Sequence, residues 1–370
     1  MGTPIQTAAE LGHSIWYDNL QRSMLTSGDL AAMISDGLRG MTSNPSIFEK
    51  AMGHSADYDA AYSKLDPELD DVGVYEQLAI EDIQGACDAF LGLYHETKGG
   101  DGFVSLEVSP RHAHDTAGTI AEAKRLHAAV ARPNVMIKVP GTKEGIPAIQ
   151  ALIAEGIHVN TTLLFSIDAY LAAANAYIGG LEIFESKGGD VSTVAGVASF
   201  FLSRIDTVVD GELGKDHREL HGKAAIANAK VAYDHFHKLV SEPRWQALAK
   251  LGAKPQRLLW ASTGTKNPAY PKLMYALALV GADTVDTLPG DTYKELVAHG
   301  AGKVHPTLRS GLDEAHATLK SLGAAGVNLQ HVTDKLLADG VAAFAKSFDQ
   351  LLAAVADKRK KLSQGQGGNA

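Results

Sequence analysis

Short apolar or β-branched runs recur along the chain, separated by longer stretches in which apolar residues return every three or four positions. Eight runs read as strands: Ser14–Asp18, Leu38–Asn44, Phe103–Val108, Val135–Pro140, His158–Phe165, Thr193–Ser199, Arg257–Thr263 and Thr284–Pro289. The stretches Asn19–Ser35, Val74–His95, His112–Ala131, Glu144–Ala154, Asp168–Ser186, Ala224–Val240 and Tyr270–Leu279 are Ala-rich and carry helical spacing, as in Ile120, Ala123, Lys124 and His127. Strand alternating with helix predicts a parallel sheet, and eight strands is the number that closes a (β/α)8 TIM barrel. The competing architecture is an open doubly wound sheet. It would show a nucleotide fingerprint at its first turn, and no Gly-x-Gly-x-x-Gly or Walker-type loop follows any of these strands.

Two segments lie outside the alternation. Ala51–Gly73 is acidic and rich in small residues, an excursion between the second strand and its long helix. Ser310–Lys361 holds no strand candidate but has helical spacing in Leu312, Ala315, Leu319 and Leu322, and again in Val341, Phe344, Phe348, Leu351, Leu352 and Val355. These are expected to be helices packed on the outside of the barrel. The expected organisation is one catalytic barrel over 1–309, a helical segment over 310–361 and a flexible, polar, Gly-rich tail over 362–370.

Composition narrows the class. With 45% hydrophobic and 21% charged residues among 370, the chain is neither disordered nor fibrous. A net charge of −9 removes any general attraction to nucleic acid or an anionic membrane, while leaving room for a local basic pocket. The single Cys87 allows no intrachain disulfide, which fits a reducing compartment, and reads as a core residue of a helix. Met1–Leu20 carries Glu10, His13 and Asp18 without an unbroken apolar run, so neither a signal peptide nor a span is expected, and a cytoplasmic location is the default.

The candidate chemistry lies where polar residues interrupt apolar strands. A barrel interior is a packed core, so a polar side chain near the C-terminal end of a strand is costly unless it belongs to the site that forms there. Asp18 ends the first strand, Asn44 the second; Glu107 lies late in the third and Lys138 in the fourth. Asn160 and Thr162 lie in the fifth, Ser199 after the sixth and Ser262 in the seventh. Lys138 is the most informative, because Val135-Met136-Ile137-Lys138-Val139 is otherwise wholly apolar. Burial disfavours the ammonium and supplies the neutral amine that attacks a carbonyl. Its structural alternatives are an edge-strand lysine reaching solvent or an ion pair with Glu107. Asp18 and Glu107 could share acid and base work, although Asp18 could equally cap the next helix, and Asn44, ahead of Pro45, could be a turn residue. The fifteen histidines include close pairs, but no HExxH or Cys-His set; they read as solvated residues, and no metal is expected. No Gly-x-Ser-x-Gly elbow supports a serine hydrolase.

The segments Thr42–Ala51 (TSNPSIFEKA), Ser105–Pro110 (SLEVSP), Val135–Ile149 (VMIKVPGTKEGIPAI), Gly156–Ser166 (GIHVNTTLLFS) and Ser199–Asp206 (SFFLSRID) together resemble the transaldolase family, in that family's order, and the length resembles its longer bacterial branch. The resemblance implies a class I aldolase-like barrel that needs no metal or organic cofactor. It implies transfer of a dihydroxyacetone unit from sedoheptulose 7-phosphate to glyceraldehyde 3-phosphate, giving erythrose 4-phosphate and fructose 6-phosphate, in the pentose phosphate pathway. Lys138 matches the Schiff-base lysine and Asp18 the residue that takes the C4 hydroxyl proton. Glu107 and Thr162 match the pair that holds a water for proton transfer. Asn44, Asn160 and Ser199 match residues that bind hydroxyls of the three-carbon unit, and Arg204 and Ser262 match phosphate ligands. The sixth-strand motif departs from the common Ser-Pro-Phe-x-Gly-Arg by carrying Phe200 and Ser203. The loop after Ser262 lacks the family's second arginine and offers Lys266 instead.

The nearest rival is a class I fructose 6-phosphate aldolase that releases free dihydroxyacetone. Such relatives carry Gln where Glu107 stands and Tyr where Phe201 stands, so both positions favour the transferase. A barrel used only as a binding scaffold would make the polar set incidental. The expected partners are sugar phosphates, with no nucleic acid and no membrane, on a monomer or homodimer.

Overall fold

The computed structural model describes residues 2–366. Eight parallel strands, β1 (His13–Asp18), β2 (Gly40–Thr42), β3 (Phe103–Glu107), β4 (Val135–Pro140), β5 (Val159–Leu164), β6 (Gly196–Phe201), β7 (Arg257–Ala261) and β8 (Thr284–Leu288), close into a barrel in sequence order. β1 closes the ring by pairing with β8 from His13↔Thr284 to Tyr17↔Leu288. Every residue of β3, β4, β5 and β6 is buried, because each strand is covered by the barrel interior on one face and helices on the other. A closed ring has no edge, which removes the edge-strand reading of Lys138. Cys87 is buried in the long helix Asp71–Glu96.

The elements depart from the sequence expectation in ways that have local causes. The stretch Asn19–Ser35 is two helices, Arg22–Ser27 and Asp29–Ser35, because Gly28 between them takes a left-handed backbone (φ 89°) that ends the first. The sixth strand runs over Gly196–Phe201 rather than Thr193–Ser199, so Ser199 lies inside it. Its far end is held by Phe200↔Trp260 and Phe201↔Ala261, while Val191–Thr193 forms a 3-10 turn capped by Asp190. Helices also form at Pro4–Glu10, Ser203–Leu213, Pro243–Lys250 and Gly290–His299, where none was expected. The acidic excursion contains the end of the helix Pro45–His54 and the short helix Asp59–Tyr62.

The largest correction concerns the C-terminal segment. Helix Leu312–Ala324 does lie on the outside, against Ala224–Ser241. Helix Leu329–Gln366 instead crosses the C-terminal mouth of the barrel, from Ser203–Leu213 and β5 to Pro45–His54 and the long helix after it. Close approach is possible because small residues meet: a Cβ on Gly53 would fall 2.7 Å from Ala354 Cβ, and one on Gly340 3.0 Å from Leu163. Ser46 Oγ donates to Ser347 Oγ at 2.9 Å, Arg111 pairs with Asp349 at 2.8 Å, and Arg359 pairs with Asp71 at 3.0 Å. The same helix runs through 362–366, the first part of the expected tail; 367–370 lie outside the described residues. No helix among the described residues is long and apolar enough to cross a membrane.

Candidate active site

The polar strand ends meet at the C-terminal mouth. Asp18, Thr42, Asn44, Lys138, Thr162, Ser199, Phe201, Arg204, Ser262, Lys266, Thr287 and Phe344 line one cavity of about 180 Å³. The registers explain the gathering: Glu107 is level with Lys138 and Lys138 with Asn160, so β3, β4 and β5 present one layer inward, while Asp18 is level with Thr42 across β1 and β2.

Lys138 is almost sealed. Its Nζ lies 3.4 Å from Glu107 Oε2, donates to the Ser43 carbonyl at 3.3 Å and sits 5.7 Å from the centre of the Phe344 ring. The ion pair with Glu107 therefore exists, and it accompanies the cavity position of the amine rather than replacing it. Burial pushes the Glu107 carboxyl up to about 7; Lys138 opposes the rise and Asp18 adds to it. Both Glu107 oxygens and Thr162 Oγ1 are buried without a directed hydrogen bond among the described residues.

Asp18 does not cap a helix. The next helix begins after Gln21, and Asp18 Oδ1 instead accepts from Thr42 Oγ1 at 2.7 Å. Burial raises its pKa, against the pull of Lys138, the Thr42 hydrogen bond and Lys266. Asn44 serves two roles: its Oδ1 caps Ile47 N at 3.1 Å, as a turn residue would, and its side chain faces the cavity. Asn160 is fixed by two bonds, donating to Ser105 Oγ at 3.0 Å and accepting from Ser199 Oγ at 2.7 Å.

At the other end of the cavity Arg204 is partly buried and makes no ion pair among the described residues. Its Cζ stacks 5.5 Å from the Phe201 ring, and burial lowers its pKa. Asp206, two residues on, is occupied elsewhere, accepting from Ala225 N at 2.8 Å and Tyr275 Oη at 2.7 Å. Ser262 holds a left-handed backbone (φ 56°), costly for a residue with a Cβ, and shares a 2.9 Å hydroxyl contact with Ser203. Ser203, one of the departures from the family motif, thus touches the residue expected to bind phosphate. Lys266 is exposed at the rim.

Sequence reasoning missed Thr42, Thr287 and Phe344. The threonines look like ordinary β-branched strand residues. Phe344 belongs to an apolar stripe with nothing to mark which barrel surface it faces. Two histidines also differ from the solvated reading: His13 and His158 are buried, His13 with Nδ1 2.7 Å from Thr284 Oγ1 and His158 bridging the Pro133 carbonyl and Ala195 N. Burial lowers their pKa values to about 3 and about 4, so both are neutral structural groups.

A closed parallel barrel with a sealed lysine facing a cavity at its mouth, beside two carboxylates, has the layout of an enzyme of the barrel class, whose sites form at that end of the strands. The family described as transaldolase/fructose-6-phosphate aldolase matches residues 15–355. A transaldolase of Trichodesmium erythraeum is 44% identical, covering 95% of this chain and 97% of the relative; one of Thiobacillus denitrificans is 46% identical, covering 94% and 98%. A transaldolase of Thermobifida fusca is 44% identical over 97% of this chain and 99% of its own length. The chain belongs to the transaldolase/fructose-6-phosphate aldolase family, and its function is that of a transaldolase, a transferase of aldehyde or ketone residues.

Proposed function

We propose that Lys138 carries a dihydroxyacetone unit as an imine between two sugar phosphates, and the single observation that supports this most is the enclosure of its Nζ between Glu107, the Ser43 carbonyl and Phe344. The Lys138 amine, its proton passed to Glu107, attacks the C2 carbonyl of sedoheptulose 7-phosphate or fructose 6-phosphate. Glu107 has a pKa of about 7, so near neutrality it can both give and accept the protons that turn the carbinolamine into an imine and water. The lack of a directed hydrogen bond, among the described residues, to the Glu107 oxygens and to Thr162 Oγ1 supports the reading that the two hold a water for this transfer. Asp18 takes the C4 hydroxyl proton. The C3–C4 bond breaks, its electron pair passes into the protonated imine, and an aldose phosphate leaves. The acceptor aldehyde then reverses these steps.

In this reading Asn44 and Ser199, which line the cavity, and Asn160, which lies behind Ser199 and accepts its hydroxyl proton, bind the hydroxyls of the retained unit. Phe201 and Phe344 cover it with apolar rings; neither has a hydroxyl that could protonate the waiting carbanion. The rest of this reading is a place in the pentose phosphate pathway and a cytoplasmic monomer or homodimer. Its test is the fate of the three-carbon unit. With fructose 6-phosphate alone, about one equivalent of glyceraldehyde 3-phosphate per site is expected in a burst, followed by slow release; erythrose 4-phosphate restores turnover. Steady formation of free dihydroxyacetone at the transfer rate would reject retention on the lysine.

Arg204, Ser262 and Lys266 form the phosphate end in this reading. An arginine that is partly buried without a carboxylate partner among the described residues is suited to a dianion, which its planar fork can grip with two donors, and Lys266 adds a flexible point charge at the rim. Arg204→Ala is expected to raise the Michaelis constant for phosphorylated donors roughly tenfold or more, the scale of one lost charge-assisted hydrogen bond. Unphosphorylated dihydroxyacetone as donor should be hardly affected. Equal losses for both donors would assign Arg204 a purely structural role.

A further inference from the structure

The carboxylate of Asp18 accepts from a hydroxyl on β2, and that hydroxyl in turn meets one on β8, the other strand that borders β1. Thr42 ends β2, level with Asp18, and Thr287 lies on β8, level with Trp16. Thr42 Oγ1 is 2.7 Å from Asp18 Oδ1 and 2.6 Å from Thr287 Oγ1, and both threonines are buried. A threonine hydroxyl has one proton, and an ionised carboxylate only accepts. The Thr42 proton therefore goes to Asp18, and Thr287 must donate to Thr42. The direction of the whole row is set by its charged end. Asp18 Oδ1 is thereby committed as an acceptor, whereas Oδ2 has no partner among the described residues and is not sealed from the cavity that Asp18 lines.

We propose that Thr287 and Thr42 form a hydroxyl row that holds Asp18 ionised through Oδ1 and directs the substrate proton to Oδ2; both are positioning residues for the acid/base step. The row opposes burial, which disfavours the carboxylate. The charged groups facing Asp18 are Lys138 on β4 and Lys266 after β7, which favour its ionised form, and Glu107 on β3, which disfavours it. Arg204 lines the same cavity toward its far end. Neither threonine need touch the substrate for this role. A proton taken up at Oδ2 leaves every bond of the row as it was, so no reorganisation accompanies the cleavage step.

The inference rests on the reading of Asp18 as the residue that takes the C4 proton, and the experiment separates the two. The pH profile of kcat/KM for fructose 6-phosphate with erythrose 4-phosphate is measured for Thr42→Val, Thr42→Ser, Thr287→Val and the double Val variant. Valine keeps the shape of threonine without the hydroxyl. The acid limb should move up by about one pH unit in Thr42→Val, the scale of a lost hydrogen bond to a charged group. It should move less in Thr287→Val, no further in the double variant than in Thr42→Val alone, and return in Thr42→Ser. Non-additivity is expected because Thr287 acts only through Thr42. A fall that is uniform across pH, with the limb unmoved in both single Val variants, would overturn the row. If Thr42→Val fails to fold, Thr287→Val, which leaves the Thr42–Asp18 bond in place, decides the same question by its smaller shift. Asp18→Asn is the control: undiminished cleavage there would sink the role of Asp18 itself, whereas lost cleavage together with unmoved limbs in the Val variants would sink only the row.

Discussion

Replacing Lys138 with methionine is expected to lower transfer activity by at least about 10⁴-fold, the order of loss when a covalent nucleophile is removed. Borohydride with fructose 6-phosphate should leave a reduced three-carbon adduct on the wild-type peptide containing Lys138, and none on the variant. Methionine follows the unbranched stem of lysine, so the β4 layer should keep its packing. The change also leaves Glu107 without its cation. That loss is tolerable because burial already holds this carboxyl at about 7, and without Lys138 it simply takes a proton and stays neutral. The variant is therefore expected to fold with a melting temperature close to that of the parent. An adduct on the exposed Lys143, with Lys138→Met still active, would remove Lys138 from the chemistry.

The sequence carried this centre unusually far, for a physical reason. In a parallel barrel the strands are continuous apolar runs, so a single Lys, Glu or Asp inside one is visible against its neighbours, as Lys138 is within Val135–Val139. Strand boundaries were less visible at β6. Gly196, Val197, Ala198, Phe200 and Phe201 are all apolar, and pairing with Trp260 and Ala261, not local pattern, decides where the strand stops. The break at Gly28 depends on a backbone conformation that a glycine permits but does not announce. Phe344 was beyond reach altogether. Its stripe with Phe348, Leu351 and Val355 is equally suited to the flank of a barrel, and only contacts across hundreds of residues, such as Ser46–Ser347 and Gly53 against Ala354, carry it over the mouth. The directional row through Thr42 and Thr287 is likewise a tertiary property, since two threonines on distant strands carry no mark of pointing at one carboxylate. What sequence shows well is a cost, a charge in an apolar run. What it hides is the partner that offsets that cost.

Asp18→Asn is expected to separate imine formation from carbon–carbon cleavage. The amide cannot accept a proton at neutral pH, so release of glyceraldehyde 3-phosphate from fructose 6-phosphate should fall by about 10²–10⁴-fold, the usual worth of a positioned acid or base. Imine formation should persist, because Lys138, Glu107 and Thr162 are untouched, and borohydride should now trap the intact six-carbon sugar phosphate in place of the three-carbon fragment. Stability should move the other way or not at all. Burial holds the Asp18 pKa above its ordinary value, which means that the ionised carboxyl is a net burden on the fold relative to a solvated one. An asparagine oxygen can still accept the Thr42 hydroxyl proton, so the row keeps its direction while the buried charge disappears. The sign follows from the raised pKa: the burden is absent at low pH, where the group is protonated in both states. It is fully present once pH exceeds the folded pKa. The variant's melting temperature should therefore match the parent's in acid and equal or exceed it near neutrality. A variant that lost imine trapping together with cleavage, or that melted well below the parent at neutral pH, would show Asp18 to be holding the barrel mouth together rather than moving a proton.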